Sequence, residues 1–292
     1  MRPIRSLLIC TTTMERHVKS ALASAADGVV LDLETSIAEA EKSAARAAAV
    51  SVLAGRHGPD IFVRINEIDG RHVFDDLMAL QTANLRGVML PQAEDGRQIA
   101  ILDWMLSELE RRYSRKGLPV EILPLVETAR GVENLAQMLS ASKRIRQLTF
   151  GVADYSLDTG MQPARDESEL GYIRARLVHA SRAAGLEAPI DTVWLDLNDV
   201  EGLQLSLERS RRAGFVGKLC IHPKQAEQAN LAFTPSSDEV AKATAIITAF
   251  ETAMAGNVAA VRVEGRLVDL PIVDSARRVV DLAKALAGKS GE

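Results

Sequence analysis

Charged side chains stand at the C-terminal ends of several apolar runs in this chain. The positions are Asp32, Glu34, Arg64, Glu127 and Asp154. A strand that is buried on both faces has a continuous hydrophobic sequence, so a charge at its end is costly unless it meets a partner there. In barrels of parallel strands that end is where chemistry takes place. The pattern therefore predicts a polar site of carboxylates and one guanidinium at one end of a sheet.

Glu127 and Asp154 end the fifth and sixth apolar runs, so we expect them to be neighbours. Two adjacent carboxylates repel each other and raise one pKa. A divalent cation removes this conflict, and Mg²⁺ suits such a pair because it takes few protein ligands and keeps several waters. The alternative is that both residues are strand ends held in salt bridges.

Arg64 follows a short apolar run and has a second possible role besides structure. Its guanidinium can bind a carboxylate through two parallel hydrogen bonds and offset developing negative charge. It can also be the structural partner of Asp32 or Glu34 on the adjacent strand. The two roles are compatible, since an arginine that orders a carboxylate cluster can still bind substrate.

Weaker signals come from four other positions. Gly151 opens a segment whose backbone N–H groups could receive a carboxylate oxygen, although glycine more often serves packing. His222 could be a general base, but we favour a histidine that braces the loop after its strand. Lys42 and Arg46 are one helical turn apart and could neutralise a nearby anion; a solvated helix face is the favoured interpretation.

Eight apolar segments that alternate with alanine-rich helical segments position these residues. Strict alternation predicts a parallel α/β sheet, and eight units favour a closed (β/α)8 barrel. No glycine-rich nucleotide-binding turn follows any strand. The barrel is expected over residues 1–230, and residues 231–292 are expected to form a C-terminal helical lid or oligomerisation extension. The predicted strands are 5–11, 27–34, 60–66, 86–91, 120–127, 146–153, 188–195 and 215–222.

Composition excludes some partners. The chain has 292 residues and a formal charge of −4, without the basic stripe of nucleic-acid-binding proteins. No apolar stretch approaches the ~20 residues that cross a membrane, and the first apolar run is too short for a signal peptide. Cys10 and Cys220 both lie in apolar runs, which predicts buried thiols in a reducing compartment. A cytoplasmic protein is expected.

Several motifs occur in a characteristic order along the chain. They are 27–34, 42–46, 63–66, 90–91, 125–132, 150–154, 214–225 and 264–271. Together they resemble the citrate lyase β-subunit-like branch of the HpcH/HpaI aldolase/citrate lyase family, over nearly the whole chain. The resemblance implies a TIM barrel that cleaves or forms a carbon–carbon bond next to a thioester.

The resemblance also implies roles for individual residues. Glu127 and Asp154 would bind Mg²⁺, and Arg64 would contact the keto-acid half of the substrate. Asp269, on the C-terminal segment, matches an aspartate that closes over a neighbouring subunit's site, which implies a homotrimer or a dimer of trimers. The set assigned to substrate binding is Glu34, Arg64, Gly151, Val152 and Ala153.

The leading functional prediction is a Mg²⁺-dependent lyase that acts on a malyl-, citramalyl- or hydroxymethylglutaryl-CoA-like thioester. The alternatives are a thioesterase for the same compounds and a non-catalytic, acid-binding barrel or subunit of a lyase complex. Relatives usually have Pro-Gly after the first strand, lysine in place of Gln92 and aspartate in place of Thr35. These departures leave open whether the acyl carrier is coenzyme A, an acyl carrier protein, or absent.

Overall fold

Eight parallel strands close into a barrel in chain order from β1 to β8. A computed structural model describes residues 3–80, 84–255, 261–263 and 266–287 of the chain. The strands are β1 Ser6–Thr11, β2 Gly28–Asp32, β3 Asp60–Arg64, β4 Leu85–Leu90, β5 Glu121–Val126, β6 Thr149–Phe150, β7 Ile190–Asp191 and β8 Gly217–Cys220. Each predicted strand segment overlaps one of them, which confirms the barrel. However, β6 and β7 have two residues each, far fewer than predicted.

Helices connect the strands and surround the barrel. They are α1 Glu15–Leu22, α2 Lys42–Leu53, α3 Val73–Ala79, α4 Gly96–Arg112, α5 Ala129–Glu133, α6 Leu135–Ser140, α7 Val152–Thr159, α8 Gly171–Ala183, α9 Val200–Ala213 and α10 Pro223–Phe233. Short 3₁₀ turns at Glu39–Glu41 and Ser168–Leu170 precede α2 and α8. These crossovers keep neighbouring strands parallel, so all strand C-termini reach the same end of the barrel.

The barrel interior is filled by apolar side chains rather than open. Phe62 on β3 is fully buried there, and a Cβ at Gly87 on the neighbouring β4 would lie 2.8 Å from its ring. Glycine at position 87 therefore makes room for the Phe62 ring. The cluster contains Ile4, Leu7, Val30, Phe62, Met89, Leu123, Leu125, Ile190 and Leu219. Filling the interior leaves the strand ends as the place for polar groups.

The chain forms two compact units, Ile4–Leu231 and Met1–Pro3 with Ala232–Glu292. The second unit contains α11 Ser237–Ala255, the antiparallel strands β9 Val261–Val263 and β10 Arg266–Val268, and α12 Leu270–Ala287. Its buried cluster consists of Phe250, Val268 and Val273. Glu264 and Gly265 of the last family motif lie outside the described residues. Among the residues that are described, no helix is long and apolar enough to cross a membrane.

Candidate active site

Asp32 and Arg64 are the last residues of β2 and β3, and the strand register places them side by side. Arg64 donates from Nε to Asp32 Oδ1 and from Nη2 to Asp32 Oδ2, both at 2.7 Å. Asp32 is fully buried. Burial raises the pKa of the Asp32 carboxyl, but the hydrogen bonds and charge of Arg64 outweigh this and hold the pKa below its ordinary value. The pair is therefore ionised.

Glu34 joins the same cluster from the turn after β2. Its Oε2 lies 3.2 Å from Arg64 Nη1. The Asp32 carboxylate also accepts the backbone N–H groups of Glu34 and Ser36, each at 3.0 Å. Arg64 is thus held by two carboxylates, and one of these also shapes the turn that presents the other. The structural role predicted for Arg64 is confirmed.

Glu127 follows β5 directly and is 3 % exposed. Its Oε1 accepts the backbone N–H of Gln92 at 2.8 Å. Gln92 has φ 44, a left-handed conformation that is strained for a residue other than glycine. Burial, together with the charge of Asp154, raises the pKa of Glu127 to about 8, against the opposing effect of the Gln92 N–H. Sequence reasoning missed this contact, because a backbone donor has no residue signature.

Gly151 faces the Glu127 carboxylate across the β5–β6 pair. A Cβ built at Gly151 would lie 2.4 Å from Glu127 Oε2 and 2.9 Å from Glu127 Cβ. The φ of Gly151 is −106°, which any residue can adopt. Glycine is therefore required here for space and not for backbone conformation. The packing interpretation of Gly151, rather than a direct ligand role, accounts for this residue type.

The predicted strand end at Asp154 is wrong in detail. Strand β6 stops at Phe150, and Asp154 lies in the first turn of α7. The strand stops because the Val152 N–H donates to the buried Thr192 Oγ1 at 2.9 Å instead of to a strand. The Gly151 N–H donates to Val126 O at 3.0 Å. Two of the three amides predicted to receive a substrate carboxylate are thus already used within the fold.

A cavity of about 740 Å³ opens at this end of the barrel. Residues singled out from the sequence that line it include Asp32, Arg64, Glu127, Gly151, Val152, Ala153 and Asp154. His222 also lines it, and its Nδ1 accepts the Lys224 N–H at 3.2 Å, which is the bracing contact predicted. Asp269 belongs to the second unit, where it precedes α12. Its backbone carbonyl accepts the N–H groups of Ile272 and Val273.

The prediction that Lys42 and Arg46 form a solvated face is wrong. Lys42 is 8 % exposed, and the Arg46 side chain is 16 % exposed and paired with the buried Asp76. The periodicity of α2 could not show this, because the acceptors lie in the turn after β2, in the segment after β3 and on α3. Cys10 and Cys220 are buried and unpaired, as predicted.

The carboxylates at this end of the barrel limit which metal ion the site could hold. Within the described ranges, no group of three or more His, Cys, Asp or Glu side chains is arranged to hold a metal ion. The two carboxylates of Glu127 and Asp154 therefore make a site only for a cation that takes its other ligands from water or substrate. Mg²⁺ has that preference. The absence of a Cβ at Gly151 keeps space beside Glu127 Oε2, so the residues present fit the ion.

Comparison with known proteins agrees with this geometry. The sequence profile described as HpcH/HpaI aldolase/citrate lyase matches residues 5–223, which span the barrel. The chain belongs to this family. The match covers most of the chain and includes the whole cavity lining named above.

Relatives within the family are lyases. Citrate lyase subunit beta of Leuconostoc mesenteroides subsp. cremoris is 32% identical over 96% of this chain and 93% of its own length. L-malyl-CoA/beta-methylmalyl-CoA lyase of Cereibacter sphaeroides is 30% identical over 98% of this chain and 96% of its own length. Among solved structures, CitE of Mycobacterium tuberculosis in complex with magnesium, acetoacetate and coenzyme A is 31% identical, with a TM-score of 0.78 over 97% of this chain and 98% of that one.

Proposed function

We propose that this protein is a Mg²⁺-dependent carbon–carbon lyase that cleaves a β-hydroxyacyl-CoA to a keto acid and an acyl-CoA. The observation on which the proposal rests is that Arg64, Glu127 and Asp154 line one cavity. A cation site and a guanidinium that share a cavity suit a substrate that has a carboxylate beside its reacting hydroxyl. The lyases among the relatives, and the magnesium and coenzyme A bound by the tuberculosis protein, support this assignment.

Glu127 and Asp154 would hold the Mg²⁺ ion, and water and substrate oxygens would complete its ligands. When bound, the ion supplies Lewis-acid stabilisation of the negative charge that develops on the substrate hydroxyl oxygen. The Gln92 N–H fixes Glu127 Oε1 at 2.8 Å. The other oxygen, on the Gly151 side, is left for the ion.

Arg64 would bind the carboxylate of the keto-acid half. Nε and Nη2 are engaged by Asp32, which holds the guanidinium plane still while further N–H groups remain for the substrate. Such preorganised charge stabilises the transition state without reorganisation at the moment of reaction. Because Asp32 and Glu34 balance its charge in the free protein, substrate meets an arginine already in place.

Asp269 is proposed to exchange the proton with the thioester carbon. When the carbon–carbon bond breaks, its electron pair passes to the thioester as an enolate, the hydroxyl proton passes to solvent water, and the enolate carbon takes a proton from an acid. A carboxylic acid on a segment that closes over the cavity can supply it. We infer that Asp269 acts in a neighbouring subunit of a homotrimer or a dimer of trimers, and that the protein is cytoplasmic, as its unpaired thiols support.

The reaction is tested by incubating purified protein with Mg²⁺ and each candidate CoA thioester while any keto acid is trapped as a hydrazone. Lyase activity gives glyoxylate, pyruvate or another keto acid in equal amount to the acyl-CoA formed. Free coenzyme A with intact hydroxy acid would show a thioesterase instead. Neither product, together with no binding of Mg²⁺, would indicate a non-catalytic barrel and refute the proposal.

The role of Asp269 is tested by Asp269→Asn and by mixing variants. The variant should bind Mg²⁺ and keto acid normally, yet turn over poorly, since only proton exchange is lost. Mixed and reassembled oligomers of Asp269→Asn and Glu127→Gln should regain activity, because some sites then combine an intact Glu127 with a neighbour's intact Asp269. Full activity of Asp269→Asn alone would disprove the assignment, and inactive mixed oligomers would disprove action between subunits.

A further inference from the structure

Lys42 lies behind the end of the barrel rather than in the cavity or in solvent. Its Nζ donates to Leu33 O at 2.8 Å, to Glu34 O at 2.8 Å and to Asn66 Oδ1 at 2.6 Å. An ammonium group has three N–H donors, so all of them are used. Lys42 therefore ties the turn after β2 to the segment after β3, and it has no donor left for a ligand.

A buried carboxylate holds Asn66, one of the three acceptors of Lys42, in place. Asp76 on α3 is fully buried, and its Oδ2 accepts both the backbone N–H and the side-chain Nδ2 of Asn66, at 2.9 and 2.6 Å. Arg46 donates to the other oxygen at 3.1 Å. Because its amide nitrogen is engaged by Asp76, Asn66 presents its oxygen to Lys42. We call Lys42, Asn66 and Asp76 the Lys42 network.

The other two acceptors of Lys42 lie in the turn that leads into the candidate active site. Lys42 binds the carbonyl groups of Leu33 and Glu34, while Asp32 binds the N–H groups of Glu34 and Ser36. The turn is thus held through its carbonyls on one side and through its amides on the other. Asp32 is the same carboxylate that aligns Arg64.

We propose that Lys42 is a positioning residue for the keto-acid site: it fixes the turn at Leu33 and Glu34, and through that turn the orientation of Arg64. This inference rests on the proposed function, since it assigns Arg64 to the substrate carboxylate. Without the ammonium group, the Asn66 amide oxygen loses its donor. Leu33 O and Glu34 O each lose one of two donors and keep only the Asn66 Nδ2–H and the Ile37 N–H. The turn then relaxes, and Glu34 and Asp32 no longer hold one arrangement of Arg64.

Lys218 provides a matched control. It is 1 % exposed, more deeply buried than Lys42, and it donates to Asp191 Oδ2 at 3.2 Å and Ser206 Oγ at 2.9 Å. These partners lie on β7 and α9, away from the β2 and β3 ends. Lys42→Met and Lys218→Met each remove one buried ammonium group. Both should lower stability, but only Lys42→Met should alter the site.

The test measures keto-acid binding and amide exchange in both variants. Isothermal titration with glyoxylate or pyruvate at saturating Mg²⁺ should show an affinity loss of about 10- to 100-fold for Lys42→Met, the usual effect of removing an outer-sphere partner. Mg²⁺ affinity itself should stay near the wild-type value. Lys218→Met should keep the keto-acid affinity within about twofold. Hydrogen exchange of the metal-free protein should be faster at the Glu34 and Ser36 amides in Lys42→Met only.

The outcomes separate this inference from the proposed function. If the wild-type protein binds neither Mg²⁺ nor keto acid, the proposed function fails, while the exchange measurement still decides whether Lys42 holds the turn. If wild type binds and Lys42→Met binds equally well, with unchanged exchange, the positioning role is refuted. Should Lys42→Met not fold, Asp76→Asn replaces it, because that change weakens the same network while keeping its shape. Unchanged keto-acid binding in that variant would also refute the role.

Discussion

Gly151→Ala tests how tightly the candidate metal carboxylate is packed. The new Cβ would lie 2.4 Å from Glu127 Oε2 and 2.9 Å from Glu127 Cβ, well inside van der Waals contact. The backbone at this position has φ −106 and ψ 100, so alanine introduces no conformational strain. The whole effect is steric, and it falls on Glu127 because the neighbouring strand fixes the backbone of Gly151 through its bond to Val126.

The size of the effect follows from that overlap. Overpacking a close-packed site costs about 1–3 kcal/mol. If the Glu127 side chain moves to relieve the overlap, its carboxylate no longer has the position that binds the ion. Mg²⁺ affinity then falls by roughly 5- to 150-fold, since 1.4 kcal/mol corresponds to a factor of ten. If Glu127 stays, the same free energy appears as lost stability. We expect the first result, because a side chain yields more readily than a barrel strand.

Isothermal titration with Mg²⁺ and a thermal melt of the metal-free protein distinguish the two results. Gly171→Ala is the control: its φ is −56, and no atom lies within 4 Å of an added Cβ. That variant should bind Mg²⁺ normally and be slightly more stable. Wild-type Mg²⁺ affinity in Gly151→Ala would show that the space beside Glu127 Oε2 does not matter for the ion, and the argument for the site would fail.

Two further predictions concern charge. Arg64→Met leaves the fully buried Asp32 carboxylate without its ion-pair partner, so the unfolding free energy measured in urea should fall by about 3–5 kcal/mol. Arg165→Met is the control, because it breaks an exposed pair and should change the unfolding free energy far less. Equal losses in the two variants would contradict the greater weight given to the buried pair. Because the pKa of Glu127 is raised from 4.5 to about 8 in the metal-free fold, the folded state binds more protons than the unfolded chain between these values. Its stability should therefore fall as pH rises through this window, while Mg²⁺ affinity rises. Urea unfolding and Mg²⁺ titrations at several pH values check both trends. If stability still falls with rising pH in Glu127→Gln, another group is responsible.

Strand-level features were predictable from the sequence because they are local. The apolar runs predicted the number, order and parallel arrangement of the barrel strands, and the charged run ends predicted that Arg64 and Glu127 lie at the same end, where both line the cavity. In a parallel barrel, alternation with helices brings all strand C-termini to one end, so sequence position alone predicts their neighbourhood. The strand register then places Asp32 beside Arg64.

Contacts that join distant segments through backbone atoms could not be predicted in this way. Backbone groups, which give no signal in the sequence, form one side of each such contact. Examples are the Gln92 N–H on Glu127, the Val152 N–H on the Thr192 hydroxyl, and the two carbonyls bound by Lys42. The composition of α2 suggested a solvated face, yet Lys42 is buried. The sequence by itself determined which residue types stand at the end of the barrel. Only the tertiary structure decided which atoms of those residues are engaged and which remain free, because that depends on distances between segments that the chain order does not contain.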